Sequence, residues 1–189
     1  MMKKGLLLIM LCAQLICGRS QVVTIHAPYF SSSFNLQTQC SGQVEWLIHP
    51  DDIGETKRNP SWRFLPDVPH IGAKARHDDY RKSGYDRGHM CPAEDRSKSV
   101  QMMHSTFVMS NVAPQISSMN RGTWKKTEMD CRKASGEFGT IHVLAIPVYL
   151  DRDTTYIGAH RVAVPHAFVK VAWVEKTDSV IYTWFLWNK

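Results

Sequence analysis

Strand-like segments occur in both the first and the last third of this sequence, and two helix-like segments lie between them. One helix-like segment, residues 92–104, begins with a proline, and the other, residues 121–133, lacks proline and ends before Gly136. Residues 50–80 are rich in proline and charge, which predicts a long ordered loop. This order predicts an α+β fold with a largely antiparallel central sheet and helices inserted midway. The strand-like segments are residues 44–48, 106–111, 140–150, 163–173 and 179–186.

Residues 1–20 have the pattern of an export signal. Two lysines precede an apolar run over residues 6–17, and small residues follow that run. The run is shorter than the ~20 apolar residues that span a bilayer, so we expect no membrane attachment in the mature form. We therefore predict a signal peptide at residues 1–20, a single domain at residues 21–189, and a periplasmic or extracellular location.

Charge and cysteine content restrict the possible partners only weakly. The formal charge of the chain is +6, and it falls to +3 if the three basic residues of the signal are removed. That balance is compatible with a polyanionic partner but does not by itself argue for one. Cys40, Cys91 and Cys131 would remain, and an odd number leaves at least one thiol free or paired between chains. A Cys91–Cys131 disulfide is one of the pairings left open.

The residues that carry most chemical information lie between Asp86 and Glu128. The string Asp86-Arg87-Gly88-His89 is followed by Asn120 and then by Glu128. An imidazole can accept a proton near neutral pH. Amide and carboxylate oxygens are hard ligands of the kind that Mg²⁺ takes, and a guanidinium forks onto phosphate oxygens. A base, a hard-metal ligand and a cation in one short stretch favour hydrolysis of a phosphodiester.

Four linked blocks make this pattern specific: residues 84–92, residues 110–115, residues 119–124, and Glu128. In their order and spacing the blocks resemble the DNA/RNA non-specific endonucleases, a family that includes secreted bacterial and mitochondrial enzymes. The resemblance implies the ββα-metal (His-Me finger) nuclease fold. It also implies a hydrolase that cuts DNA and RNA, single or double stranded, with little sequence preference. Such an enzyme depends on a divalent metal and leaves 5′-phosphate ends.

The resemblance further implies a role for each residue of the blocks. His89 is expected to be the general base, and Asn120 the direct ligand of Mg²⁺, for which Mn²⁺ can substitute. Glu128 is expected to reach the metal through water. Asp86 is expected to be mainly a structural brace, and Gly88 to let the turn approach the substrate. The other implied catalytic residues are Arg58, Arg87, Asn111 and Arg132, and the three arginines among them are expected to bind substrate phosphate.

Ordinary structural roles remain open for several of these residues. Asn120 could cap a helix, Asn111 could cap a strand end, and Glu128 could pair with Arg132 one helical turn further on. Two other functions also remain open. A catalytically silent nucleic-acid-binding module would keep the fold, although it would need neither the base nor the metal ligands. A zinc enzyme could use histidine and cysteine, although no second spaced pair completes a zinc tetrad. These patterns leave the oligomeric state undetermined.

Overall fold

The computed structural model describes residues 22–67, 72–150 and 153–189, and its centre is an antiparallel β-sheet. Six strands form this sheet in the order β1-β2-β3-β6-β9-β10, and two smaller pairs, β4-β5 and β7-β8, lie beside it. The strands of the described residues are β1 Val22–Ala27, β2 Phe30–Asn35, β3 Cys40–Ile48, β4 Tyr85–His89, β5 Val112–Ile116, β6 Ile141–Val148, β7 Tyr156–Ile157, β8 Val162–Ala163, β9 Ala167–Val174 and β10 Ser179–Trp187. The architecture confirms the predicted α+β class with a largely antiparallel central sheet.

The main apolar core lies on one face of this sheet. Successive side chains of a strand point to opposite faces, so Val143 of β6 and Ala172 of β9 enter the main core. Their neighbours Leu144 and Val171 belong to a smaller apolar cluster. Strands β6 and β9 therefore read as nearly continuous apolar runs, which is why the sequence identified them.

Two of the sequence predictions in the middle of the chain are wrong in detail. The helix predicted over residues 92–104 is divided into a 3₁₀ turn, Ala93–Arg96, and a short helix, α1 Val100–His104. The chain is extended at Ser99, whose side chain accepts from the Met102 amide and so caps the second piece. The strand predicted over residues 106–111 is also absent. A 3₁₀ turn, Met109–Asn111, occupies its end, and the strand begins at residue 112.

The second predicted helix, residues 121–133, is part of a longer helical run. The run comprises α2 Ser117–Met119, a π-helical turn Asn120–Trp124, and α3 Lys125–Phe138. We call residues 117–138 the site helix. It ends at Gly139, whose φ of 85° lies in the left-handed region that favours glycine.

The site helix follows directly on a pair of strands that carries the Asp-Arg-Gly-His motif. In the β4-β5 pair, Asp86 is opposite Gln115 and His89 is opposite Val112. Trp124 of the site helix is fully buried, and its indole Nε1 donates to the His89 carbonyl at 3.2 Å. The same ring packs against Phe168 of β9. These contacts fix two strands and one helix as a ββα unit on the central sheet.

The three cysteines in the described residues, Cys40, Cys91 and Cys131, are all buried free thiols. The Cys91–Cys131 disulfide is therefore not formed. Across residues 22–67, 72–150 and 153–189, none of the helices combines the length and apolar character needed to cross a bilayer. The signal peptide predicted for residues 1–20 lies outside these ranges.

Candidate active site

A polar pocket of about 570 Å³ opens beside β4 and the start of the site helix. It brings together residues that are far apart in the sequence, because residues between 58 and 64 and His77 form one wall and the ββα unit forms another. The charged and amide side chains of its lining are Arg58, Arg63, His77, Asp86, Arg87, Asn120 and Arg121. A wet cavity with four arginines suits an anionic ligand.

His89 lies behind an aromatic wall of this pocket. Its ring packs between Phe64, which lines the pocket, and Phe107, with each ring centroid 4.7 Å away. The residue is only 9% exposed, and its Nε2 has no hydrogen-bond partner among the described residues. Burial, with added repulsion from Arg58, lowers the pKa of His89 from 6.5 to about 3. The imidazole is therefore neutral at physiological pH, so one ring nitrogen keeps a free lone pair.

Asp86 joins β4 to the site helix. Its carboxylate accepts hydrogen bonds from Ser117 Oγ at 3.0 Å, from Asn120 Nδ2 at 2.9 Å, and from Nε and Nη2 of Arg121 at 2.9 Å each. Burial alone would raise its pKa, but the bonds from Arg121, Asn120 and Ser117 hold the pKa below its ordinary value. The carboxylate is thus ionised and fully engaged in orienting the beginning of the helix.

Asn120 presents an amide oxygen to the pocket. Its Nδ2 is held by Asp86, and its Oδ1 has no hydrogen-bond partner in the described part of the chain. The backbone of Asn120 is helical on both sides, so the residue does not cap the helix. The structure contains no group of three His, Cys, Asp or Glu side chains that could hold a metal within the described residues. A single hard oxygen in a wet pocket fits Mg²⁺, which keeps most of its water ligands.

Cys91 does not fit the zinc alternative. It is completely buried, and burial raises the pKa of its thiol to about 12. Zinc binds the thiolate form, and a dry, protonated thiol does not supply it.

Arg87 and Arg58 both reach the pocket, but they are held differently. Arg87 donates from Nε to the His77 carbonyl at 2.8 Å, and its guanidinium lies over the Tyr80 ring. Its two Nη groups have no partner in the ranges that the structure describes, so they remain able to fork onto an anion. Arg58 is exposed, with its guanidinium 4.9 Å from the Phe107 ring centroid.

Three residues expected at the site do not line the pocket. Asn111 is fully buried: its Oδ1 accepts from the Cys91 amide, and its Nδ2 donates to two backbone carbonyls. Arg132 donates to Asp95 at 2.7 Å and is 17% exposed. Glu128 is half-buried, and burial raises its pKa to about 7 against the attraction of Lys170. Asn111 and Arg132 thus serve protein groups in this structure.

The structure gives a packing reason for the glycine at position 88. A Cβ added to it would lie 2.2 Å from the Gln115 side chain, which is fully buried on the neighbouring strand. The glycine therefore leaves room for Gln115. That it also lets the turn approach the substrate stays a prediction.

Sequence reasoning missed several residues of this region. Arg121 could have been found, because it directly follows Asn120 in the sequence. Two adjacent residues in the first turns of a helix both lie near its N-terminal end. Trp62, Arg63, Phe64 and His77 belong to the irregular loop, where no periodic pattern gives the direction of a side chain. Lys170 lies outside the motif blocks, yet it is fully buried under the site helix.

Comparisons with known proteins give the family. The model of the DNA/RNA non-specific endonuclease family matches residues 16–188. The mitochondrial nuclease EXOG of Danio rerio is 37% identical over 138 residues, which are 67% of this chain and 40% of the relative. The mitochondrial nuclease 1 of Schizosaccharomyces pombe is 33% identical over 162 residues, which are 78% of this chain and 50% of the relative. The chain therefore spans only two fifths to half of the length of these relatives.

A solved structure gives the fold independently. EndoG, in a structure of its complex with EndoGI, superposes with a TM-score of 0.79 and 26% identity over 91% of this chain and 76% of that one. The ββα-metal nuclease fold is thereby confirmed.

The names of these relatives also correct one prediction. Both curated relatives are mitochondrial nucleases, so the predicted periplasmic or extracellular location is contradicted. The fold, the ordered motif blocks and the family match agree with one another. The chain belongs to the DNA/RNA non-specific endonuclease family.

Proposed function

We propose that this chain hydrolyses phosphodiester bonds of DNA and RNA, single or double stranded, with little sequence preference and with a divalent cation as cofactor. Residues 21–189 would act as one catalytic domain. The observation that carries the proposal is a pocket that combines the unpaired amide oxygen of Asn120 with the Arg87 and Arg58 guanidinium groups. The neutral imidazole of His89 lies one aromatic ring behind it.

In the proposed reaction, His89 is the general base. It accepts a proton from a water molecule that attacks phosphorus, and Nε2 is the nitrogen without a protein partner in the described residues. The bond from phosphorus to the 3′ oxygen breaks, which leaves a 5′-phosphate end. The rings of Phe64 and Phe107 hold the imidazole, while Trp124 holds its backbone carbonyl. These contacts keep the base in a single orientation.

The proposed cofactor is Mg²⁺, for which Mn²⁺ can substitute. When bound, such an ion supplies positive charge to a non-bridging phosphate oxygen and to the departing 3′ oxygen. Asn120 Oδ1 would hold it directly, and Glu128 would contact it through water. Asp86 supports this role, because its bond to Asn120 Nδ2 points the amide oxygen away from the protein network.

Binding is proposed to depend on the phosphate backbone. Arg87 and Arg58 would contact phosphate oxygens, and Arg121 is placed to join them if substrate competes for its bond with Asp86. Such contacts carry no base information and weaken as salt rises. We assign Arg132 and Asn111 to support of the site, because their polar groups are bonded to Asp95 and to the backbone respectively.

The test is cleavage by the purified chain of supercoiled plasmid, single-stranded DNA and RNA, each with Mg²⁺, Mn²⁺, Zn²⁺ or a chelator. We expect nicking of all three substrates with Mg²⁺ or Mn²⁺, 5′-phosphate ends, and no cleavage with the chelator. Tight binding of nucleic acid without cleavage in any of these ions would establish the silent binding module instead. Cleavage of only one sequence would overturn the proposed backbone recognition.

A further inference from the structure

Lys170 is a charged residue that the proposed reaction does not use. It lies on β9, one of the inner strands of the central sheet, and is 0% exposed. Lysine is among the residues that are almost never fully buried without a partner, because an ammonium group loses its hydration there. The surroundings of its Nζ should therefore explain why the charge is kept.

Both close contacts of the ammonium group are on the site helix. Nζ donates to Thr127 Oγ1 at 3.0 Å and lies 3.7 Å from the centroid of the Trp124 ring. Thr127 Oγ1 donates in turn to the Trp124 carbonyl at 2.8 Å. A cation over the face of a desolvated indole is attracted to it, so Lys170 holds the ring as well as the backbone of this turn.

Two acids, Glu128 and Asp95, raise the pKa of Lys170 against the effect of its burial. Both Asp95 oxygens are already engaged, one by Arg132 at 2.7 Å and one by Trp46 Nε1 at 2.8 Å. The Glu128 carboxylate has no hydrogen bond to any described residue, and its attraction is the strongest of those that offset the effect of burial on the Lys170 pKa. Glu128 directly follows Thr127, whose hydroxyl accepts from Lys170 Nζ, so this contact also fixes the backbone that carries the Glu128 carboxylate.

The same ammonium group is also linked to the base. The Trp124 ring that it contacts donates from Nε1 to the carbonyl of His89 at 3.2 Å. Lys170 thus supports His89 through the hydrogen bond of Trp124 to its carbonyl, and it supports Glu128 through the neighbouring Thr127.

We propose that Lys170 is a positioning residue, which holds Trp124 and Thr127 from beneath the site helix and so fixes the carboxylate of the next residue, Glu128, relative to His89. Lys170 contacts neither the pocket nor the substrate in this account. The proposal rests on the proposed nuclease function.

The kinetic test replaces Lys170 with methionine, which has similar length but no charge. Lys170→Met is expected to lower kcat on an oligonucleotide about 10–100-fold, as loss of a supporting contact commonly does, and to leave KM within about twofold. In a Glu128→Gln background the same change should lower kcat by no more than about twofold, because the acid that it positions is already altered. The matched control is Lys133→Met. Lys133 is an exposed lysine on the site helix, and its substitution should keep the wild-type kcat.

Urea unfolding of the wild type, Lys170→Met, Glu128→Gln and the double variant separates a positioning role of Lys170 from general support of the fold. Lys170→Met and Glu128→Gln should each lower the midpoint, and the double variant should lose less than the sum of the two losses. Additive losses in both kcat and midpoint would overturn the proposal, as would an unchanged kcat in folded Lys170→Met. If the wild-type chain cleaves no nucleic acid, the proposed function fails and takes the catalytic role of Lys170 with it. A loss of midpoint in the double variant smaller than the sum of the two single losses would then still establish that Lys170 and Glu128 are coupled.

Discussion

Charged residues occur in two regions of this molecule that differ in their access to water. In the pocket, Arg63 and Arg121 are 58% and 73% exposed at the side chain, and each has a carboxylate partner. Beneath the site helix lies a second group, which we call the inner charge layer: Asp95, Glu128, Arg132 and Lys170. There Lys170 is fully buried and Asp95 is 1% exposed at the side chain.

The difference shows which charges are free to meet a ligand. An exposed ion pair contributes only about 0–1 kcal/mol, so a pocket arginine loses little when a phosphate replaces its protein partner. Removing one member of a buried pair costs several kcal/mol, because the other charge is left without solvent or partner. The inner charge layer therefore holds the site helix in place, and the pocket charges are available for substrate.

Within this comparison of pocket and buried groups, the largest expected effect concerns two asparagines, one on each side of the division. Asn120→Ala removes the amide oxygen of the pocket and should lower kcat by about 10²–10³-fold, since charge stabilisation in the transition state is lost. Asn111→Ala removes a buried amide with three backbone hydrogen bonds, so it should mainly lower the free energy of unfolding. Steady-state kinetics and urea unfolding of both variants test this contrast. The division fails if Asn120→Ala keeps full activity at saturating Mg²⁺.

The next effect compares two arginines that the sequence assigned to the same role. Arg132→Met should lower the free energy of unfolding by about 3 kcal/mol, because it leaves Asp95 buried with a single hydrogen bond. Arg87→Met should change unfolding much less, raise KM, and reduce the salt slope of binding by about one. Denaturation curves and binding at several salt concentrations provide the comparison. Equal destabilisation by the two substitutions would remove the distinction between pocket and inner layer.

A smaller effect concerns His89 and pH. In the unfolded chain its pKa is about 6.5, while burial and Arg58 lower it to about 3 in the folded protein. As pH falls below about 6.5, the unfolded state takes up a proton that the folded state refuses, so stability decreases. At about pH 5 this histidine should account for a loss of about 2 kcal/mol relative to neutral pH, and His89→Gln should lack that loss. Urea unfolding at both pH values measures the difference, and identical pH dependence in the two proteins would show that His89 is not buried as described.

The smallest effect is expected from an ion pair at the surface of the site helix. Lys126 and Asp130 form an exposed (i, i+4) pair at 2.8 Å. Lys126→Ala should change the free energy of unfolding by less than about 0.5 kcal/mol and leave kcat unchanged. A large loss of stability would mean that the contrast between exposed and buried charges is misjudged.

The sequence identified β6 and β9 because both are nearly continuous apolar runs. It misplaced β5, because the predicted strand covered residues 106–111 and stopped before Pro114. A proline is tolerated there, since β5 pairs only with β4 and its free edge needs no N–H donor. The motif spacing assigned Asp86, Arg87 and Asn120 to one site, and all three line the same pocket. It could not distinguish Arg121 from Arg132, because only the packing of the helix decides which side faces the sheet.

The central claim is that the His89 imidazole, buried behind the pocket, activates water for phosphodiester hydrolysis. Its most direct test is single-turnover cleavage of a DNA oligonucleotide with Mg²⁺ by the wild type, His89→Ala, and the control His104→Ala. His104 stacks near Trp62 and Phe107 but does not line the pocket. We predict a loss of about 10²–10⁴-fold for His89→Ala and nearly wild-type cleavage for His104→Ala. A folded His89→Ala protein that cleaves at the wild-type rate would contradict the account.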